Sequence, residues 1–252
     1  MSGRLLRTYG PAVLVAAAAI GVWELVVRLA DVPSYIVPAP SGVARAFGDD
    51  AGLLAHATWI TLQEVLAGFA IAVAGGVALA LILHLSGYLR RALTPLLVAS
   101  QTVPVIVLAP VLVFIMGYGI GPKLVIVALI CFFPIAVNML DGLRSVDPEL
   151  VTMLRTLHAG PRDVLLRVEL PASLPQLFTG IRIAATYAAI GAVFGEWSGS
   201  NEGLGFVMLQ ATPSLETERV IAVVVILSVL SLLLYGAVGL AERRFADWGR
   251  EA

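Results

Sequence analysis

The stretch 154–175, LRTLHAGPRDVLLRVELPASLP, decides how this chain is to be interpreted, because it is polar in an otherwise apolar sequence. It carries three arginines, an aspartate, a glutamate and three prolines. The whole chain of 252 residues is 59% hydrophobic and 13% charged, and its mean hydropathy is +0.95. The chain is thus more hydrophobic and less charged than an ordinary soluble domain, which indicates an integral membrane protein. We therefore expect the polar stretch to lie outside the membrane, between two segments that cross it.

Six apolar segments have about the 20 residues that a helix needs to span a bilayer. They are 11–30, 60–85, 92–116, 123–143, 174–196 and 219–240. We predict an all-α membrane protein with six transmembrane helices, forming a single domain over 1–252. The fifth segment contains Gln176, Arg182 and Thr186, so one of its faces should contact protein or water rather than lipid.

The distribution of arginine predicts the orientation, because cytoplasmic loops carry an excess of Lys and Arg. With the N-terminus inside, the outer side keeps only Arg28, Arg45, Lys123 and Arg219. The other basic residues are then cytoplasmic: Arg4, Arg7, Arg90, Arg91, Arg144, Arg155, Arg162, Arg167, Arg182, Arg243, Arg244 and Arg250. An even number of spans returns the C-terminus to the same side, so we expect both termini in the cytoplasm.

This orientation makes the loop 144–173 cytoplasmic, and it is far longer than the roughly 2 to 8 residues of a simple helix connection. The leucines 150, 154 and 157 share one helical face. A second short helix is predicted after Gly160 and Pro161, and Pro171 and Pro175 should then reset the chain direction. One interpretation is a connector that rests on the membrane. The mixed charges of the loop favour a protein partner instead, because an anionic lipid surface would select basic residues alone.

Two outer segments have patterns of their own. In the loop before the second span, Ser41 is a plausible N-cap of a short surface helix. In the stretch WSGSNEGLGFVMLQATPSLETE, at 197–218, the apolar patch 204–209 is too short to span the membrane. We expect this patch either to lie at the interface or to dip into the protein.

The residues VELP at 168–171, followed by ASLP, resemble the closing part of the coupling loop in permease subunits of bacterial ATP-binding-cassette importers. That family loop opens with Glu-Ala-Ala, continues to a glycine and closes with Leu-Pro. Here the opening position reads Thr152, Met153, Leu154, and the glycine position holds His158, with Gly160 two residues later. The segments PSYIVPAPSGVARAF, QTVPVIVLAPVLVFIMGYGIGPK and GEWSGSNEGLGFVMLQA resemble the nitrate, sulfonate, taurine and thiamine-precursor branch.

The resemblance implies a type I importer permease fold in the bacterial inner membrane, with a partner set typical of such transporters. These partners are a second copy of the chain, two cytoplasmic ATPase subunits, an extracytoplasmic substrate-binding protein and membrane lipid. The chain has no phosphate-binding loop, since GYGIGPKL around Lys123 does not fit that pattern. We therefore expect no enzyme activity and no cofactor in this chain, with ATP and magnesium bound by the ATPase partner.

Neither the net charge of -1 nor the three scattered histidines gives reason to expect nucleic acid or a metal site. The residues expected to dock the ATPase subunit are Leu154, Arg155, Leu157, His158, Ala159, Gly160, Pro161, Arg162 and Asp163. Those expected in the translocation pathway or gate are Gln101, Pro104, Asn138, Glu196 and Trp197.

Each pathway candidate has a simpler interpretation that stays open at this stage. Pro104 bends its helix, which serves either a pathway or helix packing. Asn138 contacts substrate or makes an interhelical hydrogen bond. Glu64 and Glu196, near outer span ends, are functional intramembrane carboxylates or simply solvated.

The cargo expected from the resemblance is a pyrimidine precursor of thiamine, with sulfonates, taurine, nitrate or riboflavin as alternatives. A proton-driven secondary transporter is the rival function, and it predicts internal repeats and matching broken helices. A membrane anchor or assembly scaffold is a third, but it gives no reason for a kinked third span.

Overall fold

The computed structural model describes residues 2–246, and within the first helix it describes the side chains of residues 10, 11 and 13–29. The predicted cytoplasmic position of both chain ends, and of Arg250, lies outside the described residues. All regular elements in the described part are helical. They are α1 (Ser2–Leu29), α2 (Pro40–Asp49), α3 (Ala51–Leu85), α4 (Gly87–Ser100), α5 (Val105–Met116), α6 (Ile120–Arg144), α7 (Pro148–Thr156), α8 (Pro161–Val164), a π-helical segment (Leu165–Glu169), α9 (Leu170–Gly199), α10 (Leu204–Ala211) and α11 (Thr217–Phe245).

Four of the described helices are long and apolar enough to cross a membrane: α3, α6, the continuous helix Pro161–Gly199 and α11. The pair α4 and α5 has the length and hydropathy of a fifth span, but its two helices are bent by 100°. The first predicted span, 11–30, falls on α1. It stays a prediction, and so does the total of six.

The third predicted span, 92–116, is not one helix. α4 ends at Ser100, α5 begins at Val105, and Pro104 is the N-cap between them. Pro104 has no amide hydrogen to continue the helix and disfavours the helical conformation of Val103. A break with a 100° bend therefore replaces the predicted kink.

The fifth span also differs from its prediction, because Pro171 and Pro175 do not reset the chain direction. Pro161–Gly199 is one continuous helix of 39 residues that contains the π-helical segment. A π-helical turn shifts hydrogen bonding from i+4 to i+5. Pro171 is the second residue after the π-helical segment. The i+4 hydrogen bonds are already interrupted next to it, so the amide hydrogen that proline lacks removes less of the regular bonding than it would in the middle of an α-helix.

The centre of the molecule is the packing of α3, α6 and α9, which relies on small residues. Ala184, Ala185 and Ala188 of α9 are buried against α6. A Cβ atom added at Gly180 would lie 2.6 Å from the Pro134 carbonyl oxygen, and one at Gly191 would lie 2.9 Å from a Val127 backbone atom. Close backbone approach through small residues is typical of helices packed in membranes.

The end of the helices that is predicted to be the outer one is closed by a second cluster, formed by α2, α10, α11 and the start of α3. The patch 204–209 dips into the protein as α10, since Leu204 is fully buried. The surface helix α2 begins at Pro40, and its N-cap is Ala39 rather than Ser41. Ser41 contacts α1 instead, where its hydroxyl donates to Glu24 Oε1 at 2.8 Å and its amide donates to Glu24 Oε2 at 3.0 Å.

Candidate functional site

The loop 144–173, predicted to be cytoplasmic, begins with a well-capped helix that lies on the surface. The Asp147 carboxylate accepts a hydrogen bond from the Glu149 amide at 2.8 Å, and Pro148 occupies the first helical position. Both features favour a helix start at this point. None of the nine residues of α7 is buried. The helix is thus held by its own caps and presents most of its surface outward.

The C-terminus of α7 forms a Schellman motif, the common helix end with one left-handed residue. The Ala159 amide donates to the Leu154 carbonyl, and the His158 amide donates to the Arg155 carbonyl, both at 3.0 Å. The left-handed residue is His158, with a φ of 65°. Gly160 has a φ of -70° and no conformational need for glycine. The corner therefore turns at the position where the family carries its glycine, two residues before the predicted Gly160.

Exposed apolar side chains are the main feature of this corner. Leu157 is 70% exposed, and Leu150, Met153 and Leu166 are exposed with it. Charged residues of both signs surround them, among them Arg155, Arg162 and Asp163, which are all exposed. Pro161 is exposed as well, whereas Leu154, Ala159 and Gly160 are half-buried. None of the nine predicted docking residues is therefore buried.

The far end of the loop is anchored to the membrane helices. Val164 is buried, and Leu165 and Leu170 pack against a cluster that contains Leu83 of α3 and Leu143 of α6. Next to this cluster, His84 Nε2 and Glu169 Oε2 lie 2.8 Å apart. The side of the loop that faces the spans is thus fixed, while the corner around Leu157 stays exposed.

The predicted pathway residues do not form one site. Gln101 and Pro104 lie in the break between α4 and α5. Asn138 donates from its side chain to the Pro134 carbonyl of its own helix at 2.7 Å. The remaining two, Glu196 and Trp197, are near the C-terminus of α9.

Glu196 is fully buried, so the solvated interpretation of this carboxylate is wrong. Thr61 donates its hydroxyl to Glu196 Oε1 at 2.6 Å, and the Gly205 amide donates to Glu196 Oε2. The Thr61 hydroxyl oxygen in turn accepts from the Leu204 amide at 2.9 Å. Two amide groups at the start of α10 are thus bound by side chains from α3 and α9. This arrangement holds the inserted helix in place.

Glu64 is also buried, and its partner is one that sequence reasoning missed. Lys123 Nζ lies 2.5 Å from Glu64 Oε1 and donates to the Ser200 hydroxyl at 2.7 Å. The sequence signal was the only lysine of the chain, placed in the first turn of an apolar helix. An ionisable residue in such a position usually has a charged partner on another helix.

Trp197 is about one-third exposed, at 37%, and its ring centroid lies 5.8 Å from that of Phe194. It lines a cavity of about 380 Å³ between α9 and α11, together with Met208 of α10. The structure thus places Trp197 beside the inserted helix α10.

Residues 70–247, more than half of the chain, match the family model of the binding-protein-dependent transport system inner membrane component. The chain belongs to this family. A solved permease fold agrees with it: inward-facing conformations of the MetNI methionine ABC transporter superpose with a TM-score of 0.68 at 20% identity, over 77% of this chain and 97% of that one. The chain therefore has the type I importer permease fold.

Three curated relatives cover nearly the whole length of this permease. A probable ABC transporter permease protein of Haemophilus influenzae is 37% identical over 97% of this chain and 98% of its own. The formylaminopyrimidine transport permease protein ThiX of Halalkalibacterium halodurans is 36% identical, over 91% and 92%. The riboflavin transport system permease protein RibX of Chloroflexus aurantiacus is 35% identical, over 90% and 85%. The chain is thus a multi-pass inner-membrane permease of an ATP-binding-cassette importer, and permease subunits of this kind are not enzymes.

Proposed function

We propose that two copies of this permease form a translocation pathway with two ATPase subunits and an extracytoplasmic binding protein, in a lipid bilayer. The ATPase subunits would bind the ATP and magnesium. The observation that carries this proposal is the exposed corner around Leu157. It combines apolar side chains with charges of both signs, which suits a folded protein partner better than lipid.

We propose that the loop 144–173 is the docking element, with Leu154, Arg155, Leu157, His158, Ala159, Gly160, Pro161, Arg162 and Asp163 at the contact. The long helix that begins within this loop supports the docking role. It runs without a break from Pro161 to Gly199, so a displacement of the loop moves a membrane span directly. The proposed topology has six spans, one membrane domain over 1–252 and both termini in the cytoplasm.

At the outer side we assign gating to α10, held by Glu196 and flanked by Trp197. The central part of the pathway is assigned to Gln101 and Pro104, at the break between α4 and α5. The hydrogen bond of Asn138 within α6 favours a packing role for that side chain over contact with the solute.

The proposed cargo is a pyrimidine precursor of thiamine, supported by the similarity to the formylaminopyrimidine permease. Riboflavin is the second candidate, because the riboflavin permease is almost equally similar to this chain. Overall identity alone does not separate the two. The substrate-binding protein that accompanies the permease is the component in which most selectivity is expected.

The experiment is a pull-down of the tagged, detergent-solubilised chain from its native membrane, followed by mass spectrometry and by transport assays in vesicles. Recovery of an ATPase subunit and uptake that requires ATP is the expected result. Recovery of the chain alone, with solute uptake in vesicles that contain no ATP, would instead establish a secondary transporter. If the chain were only an anchor or scaffold, substitution of the pathway residues would change neither its assembly with partners nor the rate of transport.

A further inference from the structure

The break between α4 and α5 opens into a cavity of about 520 Å³. Ser100 and Gln101 line it from the end of α4, Phe132 and Phe133 from α6, and Tyr187 from α9. Gln101 and Tyr187 are both exposed, and neither side chain makes a hydrogen bond to another described residue. Two polar side chains that lack a hydrogen-bond partner among the described residues thus meet at one cavity, beside the phenylalanine rings of α6.

The position of this cavity is near the middle of the membrane. Phe132 and Phe133 lie halfway along α6 (Ile120–Arg144), and Tyr187 lies close to the middle of α9 (Leu170–Gly199). The N-terminus of α5 has no side-chain cap at this depth. Irregular backbone with free polar groups is tolerated there only when it is buried in protein or lines a water-filled space. The cavity is therefore expected to hold water rather than lipid.

A second cavity continues from the first along α4 and α6. Its volume is about 380 Å³, and Phe133 lines both cavities. The second cavity extends to Arg90, Arg91 and Arg144, which lie on the predicted cytoplasmic side. The two spaces thus follow one another from the membrane centre towards the cytoplasm, with Phe133 between them.

The lining of the central cavity restricts its ligand by charge and shape. None of the described residues that line it is charged. An anion such as a sulfonate that contacts this uncharged lining would lose part of its hydration without gaining a countercharge, which is costly. A flat ring would instead stack on aromatic side chains, and Gln101 supplies both a donor and an acceptor for ring substituents.

We propose that this cavity is a solute-binding site within a single permease subunit and that it takes an uncharged, planar heteroaromatic compound. The inference rests on the proposed transport function and narrows the range of solutes that the permease would carry. Pyrimidines and flavins belong to the class that the site would bind, whereas taurine, other sulfonates and nitrate do not. Tyr187 provides the stacking surface, Gln101 the hydrogen bonds, and Phe133 the boundary towards the cytoplasmic cavity.

Cysteine labelling tests the site in the assembled transporter, reconstituted in vesicles with its ATPase and binding-protein partners. Cys131 is the only cysteine and is buried, so the natural chain is the unlabelled background. A small cationic methanethiosulfonate is applied to Ser100→Cys, which lines the cavity and leaves Gln101 and Tyr187 in place, and to the control Leu232→Cys, whose native side chain is 69% exposed on α11. We expect modification at position 100 and none at position 232. An unreactive Ser100→Cys would overturn the aqueous cavity.

Protection by solute then tests the ligand class. Formylaminopyrimidine and riboflavin should slow the labelling of Ser100→Cys, and taurine should not. Tyr187→Ala should raise the concentration needed for protection about tenfold, as expected when one aromatic stacking contact is lost. Tyr187→Phe should keep the protection, as should Tyr88→Ala, which removes a tyrosine that is 76% exposed elsewhere.

The outcomes separate this inference from the proposed transport function. Protection by taurine, or by none of the three compounds, would overturn the site even if ATP-driven uptake is normal. Protection by the heteroaromatic compounds in vesicles that show no ATP-driven uptake would support the site and contradict the proposed function.

Discussion

Truncation of Leu157 to alanine should weaken the association of the permease with its ATPase subunit. Leu157 is 70% exposed at the end of α7 and does not belong to any hydrophobic core cluster. Complete burial of a leucine side chain contributes about 1.5–3 kcal/mol. Since roughly 70% of that surface is still free to be buried, docking would gain about 1–2 kcal/mol from this side chain. The variant should therefore bind about five- to thirtyfold more weakly.

The assay is a titration of the purified ATPase subunit against the full chain in lipid nanodiscs, with ATP-driven uptake measured in parallel. The matched control is Leu29→Ala, because Leu29 is similarly exposed, at 78%, and lies at the end of α1 on the predicted outer side. Both variants should insert and unfold like the natural chain, since neither side chain is buried. Equal ATPase affinity for the two variants would refute the reasoning and remove Leu157 from the docking surface.

Three further substitutions test the helix packing and the loop. Lys123→Met leaves Glu64 as an unpaired buried carboxylate and should lower stability by about 3–5 kcal/mol; thermal unfolding in detergent checks this, and the added change Glu64→Gln should restore part of the loss. His158→Gly relieves a left-handed residue that costs about 1 kcal/mol, so amide exchange in α7 should slow, and unchanged exchange would contradict the strain. Gly180→Leu has no space beside α6 and should cost at least about 1–3 kcal/mol, whereas Gly75→Leu, with no atom within 4 Å of its added Cβ, should unfold at the natural temperature.

Hydropathy predicted the main helices well because it follows from local composition. An apolar run of membrane length has one stable form in lipid, since a helix satisfies its own backbone hydrogen bonds. The observed ends of α3, at Leu85, and of α6, at Arg144, lie at or within one residue of the predicted ends. The break at Pro104 was harder to predict, because the same residue produces either a kink or a complete interruption. Which one occurs depends on the helices that surround it.

The contacts of Glu196 were inaccessible to sequence reasoning for a different reason. Its partner Thr61 is 135 residues away along the chain, and its other partner is a backbone amide that carries no sequence signature. The pattern therefore left burial and solvation equally open. The corner of the loop shows the opposite case. Counting from Leu170 and Pro171 gave position 158 as the family's glycine, and the structure has its left-handed residue at that position despite the histidine. Position 158 thus adopts a conformation that glycine takes up most readily, although the residue is a histidine.

The continuous helix Pro161–Gly199 connects the two proposed sites physically. Pro161 is next to the exposed corner, and Tyr187 lines the central cavity, 26 residues further along. At 1.5 Å per residue this separation is about 39 Å. If an ATPase subunit moves the corner, α9 would transmit the movement to the wall of the cavity that contains Tyr187. Gln101 directly follows α4 and is not part of that helix. The π-helical segment lies between the two ends, close to the His84 and Glu169 contact that ties it to α3. Such a movement would shift the wall that carries the proposed stacking surface relative to the wall that carries the proposed hydrogen-bonding group, and would thereby favour release of a bound solute.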